Sequence, residues 1–201
     1  LDDTRATIAQ RYGDYRLVID TDNQPWSKEQ WEKSGHKKAK ADTYTYHFRR
    51  EDVGIGLDVQ YESDNPNSFV RTQRFTPDMP FQIKDFKKMF PEIYPLVSSP
   101  QSVVFATYKE LSRHLMEKNS AVTMGAAVKT DLGGSRKGYF TLLAFNIQDE
   151  GRLVKDTKYI DENTYIREFT IEMTYLSVLK DNLTGDWQEI RNFFDPNAKP
   201  I

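Results

Sequence analysis

The side chains that most readily carry chemistry are few in this sequence, and they are scattered. The three histidines, His36, His47 and His114, sit far apart. None shows the H-x-x-x-H spacing that sets two imidazoles on one helix face for zinc. There is no cysteine, which excludes disulfides, thiolate metal sites and cysteine nucleophiles. The stretch DTDNQ at 20–24 opens like a calcium loop, with oxygens at alternate positions. Its sixth position is Pro25 where glycine is required, and its twelfth is Trp31 where a bidentate glutamate belongs, so it reads as an Asx turn. VGIG at 53–56 lies inside a strand pattern and lacks the third glycine of a dinucleotide fingerprint. GGSRKG at 133–138 lacks the glycine–lysine–serine order of a phosphate loop and reads as a hairpin turn. The paired acids Asp149–Glu150 and Asp161–Glu162 fall in predicted turns. Two carboxylates meeting across a sheet would suit acid–base work, but spacing names no such pair. The sequence therefore assigns no catalytic residue, no metal ligand and no cofactor.

What remains is aromatic, with two glycines. In QPWSKEQWEKSG at 24–35, Ser27 reads as a helix N-cap and Gln30 as its N3 partner in a capping box. Trp26 and Trp31 then stand at the N′ and N4 positions of a hydrophobic staple, and Gly35 at the C′ stop. The two rings are expected to meet as a clasp. The alternative is an exposed platform for a sugar ring or a partner's loop, and a stapled pair can still turn one ring edge to a ligand. Gly54 and Gly56 share one side of their strand, because side chains alternate with period two. Two bare positions leave a trough, over which a large group is expected: a ring from within the chain, or a ligand or partner element. The neighbouring strand presents either Tyr44, Tyr46 and Phe48 or Thr43, Thr45 and His47 there. The candidate ligand or partner residues are therefore Trp26, Trp31, Tyr44, Tyr46, His47, Gly54 and Gly56.

The elements that must position these residues follow from periodicity. A helix is predicted over 3–12, capped by Asp2 or Asp3 and stopped by Gly13, with a short strand at 15–19. Strict alternation over 43–48 and 53–62, around a polar turn at 49–52, predicts an antiparallel hairpin. A third strand follows at 68–75. Ile83, Phe86 and Phe90 fall at helical spacing in a short segment stopped by Pro91, and 92–100 reads as irregular. Thr107 and Glu110 form a capping-box pattern for a helix to about Asn119. Strands are predicted at 121–129, at 139–147 in the centre of the sheet, and at 164–178. In the last, Tyr165, Phe169, Ile171, Met173 and Tyr175 share a side. A final helix is predicted at about 186–194.

The predicted class is α+β: a largely antiparallel sheet of about six to eight strands, with three to five short helices mainly on one face. A single domain over 1–201 is expected, its sub-halves 1–78 and 79–201 sharing one core.

Composition narrows the function. With 28 basic and 30 acidic residues interspersed, net charge −2, there is no basic stripe for nucleic acid. HKKAK at 36–40 reads as a solvated helix end. No apolar run approaches the about 18 residues of a membrane helix. A start without methionine reads as the trace of a removed signal peptide, and zero cysteine suits a small exported protein, so a periplasmic or cell-envelope location is expected. A leading helix ending IAQRYGDY, a capped second helix and an antiparallel meander resemble uncharacterised exported bacterial proteins. Over the first 75 or so residues the order of elements is similar to small envelope lipoproteins and β-lactamase-inhibitor-like modules. That resemblance implies a protein-binding role in the envelope and transfers no functional residue. The favoured reading is a non-catalytic exported protein that binds a protein or envelope component. The alternative is a small-ligand or carbohydrate binder with an aromatic cleft. An enzyme assembled from scattered acids and histidines stands third. Oligomeric state is not legible.

Overall fold

Alternating apolar and polar residues, broken by short polar turns, build a mostly antiparallel α+β fold with few, short helices. A computed structural model describes residues 3–35, 39–110, 120–129, 139–149, 152–153, 160–175 and 188–201. The chain divides into two compact units, Leu1–Asp78 and Met79–Ile201. Their strands exceed the expected six to eight.

The first unit comprises α1 (Arg5–Tyr12), β1 (Leu17–Asp20), β2 (Pro25–Ser27), α2 (Lys28–Ser34), β3 (Ala41–Arg50), β4 (Val53–Tyr61) and β5 (Val70–Pro77). Its strands run in the order β5-β4-β3-β1-β2, every neighbour antiparallel. The hairpin β3–β4 turns through Glu51 and Asp52, both at positive φ, and Arg49 Nη2 donates to the Asp52 carbonyl at 2.7 Å. The register sets Tyr44 opposite Val59, Tyr46 opposite Leu57 and Phe48 opposite Ile55. One face of the sheet is thus apolar, and Ile8 and Tyr12 of α1 cover it. The Tyr12 ring lies 4.6 Å from Phe48 and 5.7 Å from Phe75.

The cap of α1 is a correction. Thr4, not an aspartate, caps it, in a reciprocal box with Thr7. Asp3 is engaged elsewhere: its carboxylate accepts from Arg11 at 3.1 Å, and its carbonyl from the Val70 amide at 2.8 Å, which ties the chain start to β5. Asp2 lies outside the described residues.

The second unit comprises β6 (Phe81–Gln82), a 3-10 turn (Ile83–Asp85), α3 (Phe86–Met89), α4 (Tyr94–Ser98), β7 (Val103–Glu110), β8 (Ser120–Lys129), β9 (Tyr139–Asp149), β10 (Arg152–Leu153), β11 (Tyr165–Tyr175) and β12 (Gln188–Glu189). Its strands run β12-β7-β8-β9-β11, with β10 beside β9 and β6 beside β11. β9 is flanked on both sides, as its doubly apolar sequence requires. Phe81, Phe86, Phe90, Phe145, Phe169 and Phe194 form the core.

Four sequence expectations fail in this unit. Thr107 and Glu110 do not cap a helix; both are in β7, opposite Thr123 and Ser120 of β8. Strand pairing overrides a four-residue local motif there. Residues 111–119 lie outside the described residues. Of the predicted last helix, Gln188 and Glu189 are strand, paired with Ala106 and Phe105, and Phe194 reaches the core from a turn. The segment read as irregular contains the short helix α4. In β11 a bulge between Ile166 and Glu168 moves the register by one, so Ile166 rather than Tyr165 joins Phe169 and Ile171 inside. Among the described residues, no helix is long and apolar enough to cross a membrane.

Candidate functional site

The staple forms as its spacing requires. Ser27 accepts from the Gln30 amide, Gln30 Oε1 accepts from the Ser27 amide at 3.0 Å, and Gly35 is left-handed at φ 62°. The Trp26 and Trp31 rings meet edge to face, with centroids 5.7 Å apart. Trp31 is fully buried, whereas Trp26, opposite Val18 on β2, is only half-buried. Its indole N–H donates to Asp20 Oδ2 at 2.8 Å, while Asp20 Oδ1 accepts the amides of Asp22 and Gln24. The calcium-like stretch is therefore a closed Asx turn. The Trp26 hydrogen bond, then the Gln24 and Asp22 amides, hold the Asp20 carboxyl below its ordinary range. The two rings thus meet as the clasp that their spacing predicts.

Along the same apolar face lies a tyrosine cluster. Tyr44 is packed edge to face by Tyr15 at 5.0 Å and by Tyr61 at 5.4 Å. Its hydroxyl accepts from Arg5 Nη1 at 2.6 Å. The Tyr46 and Tyr61 hydroxyls share a hydrogen bond of 2.5 Å. Burial is the first cause of the raised pKa of Tyr44, Tyr46 and Tyr61, with Tyr46 pushed up to about 12. The sign follows from proton linkage. The folded chain keeps these protons where the unfolded chain, ionising near about 10, loses them. Stability is therefore expected to be whole below pH 10 and to fall as pH rises toward about 12. Denaturant unfolding at stepped pH checks this; a flat profile across that window counts against it.

At the open end of the β3–β4 hairpin, away from the turn, the cluster borders a cleft of about 350 Å³. Tyr44 and Tyr61 form its aromatic part. Asp42, Glu62 and Asp64 bring carboxylates and Lys40 an ammonium. Asp42 Oδ2 already accepts from Gln60 at 3.1 Å and from Thr43 at 2.8 Å. Both phenol oxygens are engaged inward, so the tyrosines offer the cleft their rings. Among its described lining residues the cleft is mostly acceptors around an aromatic wall, with Lys40 as a cation. Among the described residues, no three histidine or acid side chains converge as metal ligands.

The sequence-derived candidates separate onto two faces. Trp26, Trp31, Tyr44 and Tyr46 share the apolar face, and of these only Tyr44 lines the cleft. His47, Gly54 and Gly56 lie on the opposite face, His47 directly across from Gly56. Asp78 and the imidazole ring of His47, from the adjacent strand, reach over Gly54, and a side chain at Gly56 would meet the Thr76 carbonyl at 3.7 Å, an ordinary contact. Asp78 arrives there because its amide extends the β4–β5 ladder to the Gly54 carbonyl at 2.8 Å. His36 and His114 lie outside the described residues. Sequence reading missed Asp42, Tyr61, Glu62, Asp64 and Lys40. Strand alternation gave the side of Tyr61 and left Asp42 before the predicted strand, and a cleft arises only where two strand ends and a loop meet. No family model matches the chain, and neither a curated protein nor a solved structure matches it.

Proposed function

We propose, from the site alone, that this chain is a non-catalytic binding protein that holds a small polyhydroxylated ligand, of the saccharide class, in the tyrosine-lined cleft. The carrying observation is the cleft itself. Its volume, about 350 Å³, falls in the range of small-molecule sites. Rings committed by their hydroxyls, carboxylates that each accept more than one O–H, and the Lys40 ammonium as a donor match a ligand with an apolar ring face and a rim of hydroxyls. The protein-partner reading has less support. The exposed large apolar residues among those described are three, Met79, Val103 and Ile201, each from a different segment of the chain. The outer strand β2 is three residues long and starts at Pro25, which gives little edge for strand addition.

The test is a panel of mono- and oligosaccharides followed by amide NMR. A bound sugar is expected to move the resonances of Asp42, Tyr61 and Asp64. Tyr61→Ala and the exposed variant Asp64→Ala are each expected to weaken binding about tenfold, or roughly 1.4 kcal/mol. If no saccharide moves these resonances, the reading fails.

A further inference from the structure

On the face of the first sheet turned away from the cleft, two ligating atoms converge over one bare backbone position. Asp78 Oδ2 lies 2.3 Å, and His47 Nε2 3.1 Å, from the point where a Cβ on Gly54 would stand. Any side chain at Gly54 would displace both, so the glycine is what lets them approach. Both side chains are exposed, and neither makes a hydrogen bond or ion pair among the described residues. Arg49, the cross-strand partner of Gly54, is the nearest cation by register, and its guanidinium is drawn to the hairpin turn by the Asp52 carbonyl. Beside the pair, Gly56 carries no side chain and has the Thr76 carbonyl 3.7 Å from where its Cβ would stand, and the half-buried Asp58 lies one step further along β4.

An imidazole nitrogen and a carboxylate oxygen brought near one point are the donor types that first-row divalent ions take, at about 2.0–2.2 Å each for zinc. We propose that His47 Nε2 and Asp78 Oδ2 hold a divalent transition-metal ion, Zn²⁺ or Ni²⁺, above Gly54, with water completing its coordination. Small rotations of two exposed side chains bring both atoms to one ion. The site is separate from the cleft, and neither needs the other.

The test titrates Zn²⁺ and Ni²⁺ into the full chain, by calorimetry and through the imidazole resonances of the three histidines. One saturable event that shifts the His47 resonance is expected. His47→Gln and Asp78→Asn are each expected to weaken it about tenfold or more, with unfolding in metal-free buffer unchanged. Gly54→Ala, which pushes Asp78 aside, is expected to weaken it as well; if that variant loses stability, the two exposed positions carry the test. If His47→Gln abolishes binding and Asp78→Asn leaves it intact, the ion is an adventitious guest of a surface histidine and the proposal is overturned. Absence of saturable binding, or binding that follows His36 or His114 instead, overturns it equally.

Discussion

Phe86→Ala is expected to destabilise the second unit by about 3–5 kcal/mol, the usual cost of deleting a fully buried ring. Phe86 is wholly inaccessible to solvent. Its ring centroid lies 5.1 Å from Phe194, 5.4 Å from Phe169, 5.5 Å from Phe90, 5.9 Å from Phe145 and 6.0 Å from Phe81. Those partners come from a short helix, the sheet and the C-terminal segment, so no single element can shift to close the cavity. Urea unfolding measures the loss. Phe86→Leu, which keeps most of the volume, is expected to cost clearly less, and equal costs for the two would show that ring packing is not the source.

Trp31→Ala is expected to cost a similar amount, about 3–5 kcal/mol, in the first unit. Trp31 is fully buried, and Trp26 rests on it edge to face. The capping box of Ser27 and Gln30 survives the change, so α2 keeps its local start and loses its anchor to the sheet. Trp26→Ala is expected to cost less, on the order of 1–3 kcal/mol, because that ring is half-buried. The order of the two losses is the check: if Trp26→Ala costs as much as Trp31→Ala, the entry turn held by Asp20 matters more than the burial of the inner ring.

The features legible in the sequence are those fixed by local chemistry. Ser27, Gln30 and Gly35 sit within one helix, and their geometry follows from backbone donors and acceptors a few residues apart. The strict alternation of β3 and β4 gave the two faces, because side-chain direction in a strand has no other freedom. Thr107 and Glu110 show the limit. Their capping pattern is genuine as a pattern, yet β8 offers a full ladder of partners that no four-residue window contains. The bulge in β11 is equally invisible, since one extra residue inverts the side on which Tyr165 falls. The cleft was missed for a related reason: Asp42 and Tyr61 are ordinary strand-end residues until Glu62 and Asp64 fold back beside them. Gly54 was expected to have a group lying over it; His47 comes there from the adjacent strand, and Asp78 joins it from a strand whose register alternation alone could not give.

The order of strands also sets a timetable. In the first unit β3, β4 and β5 are a meander and β1 and β2 a hairpin, so each of these ladders joins segments near in sequence. In the second, β12 must return to β7, Gln188 to Ala106, across the intervening sheet strands. Closing so long a loop costs entropy before the pairing repays it, and non-local ladders form slowly. During synthesis the ladders from β1 to β5 have all their strands once Pro77 has emerged, while the edge of β7 stays open until Gln188 arrives.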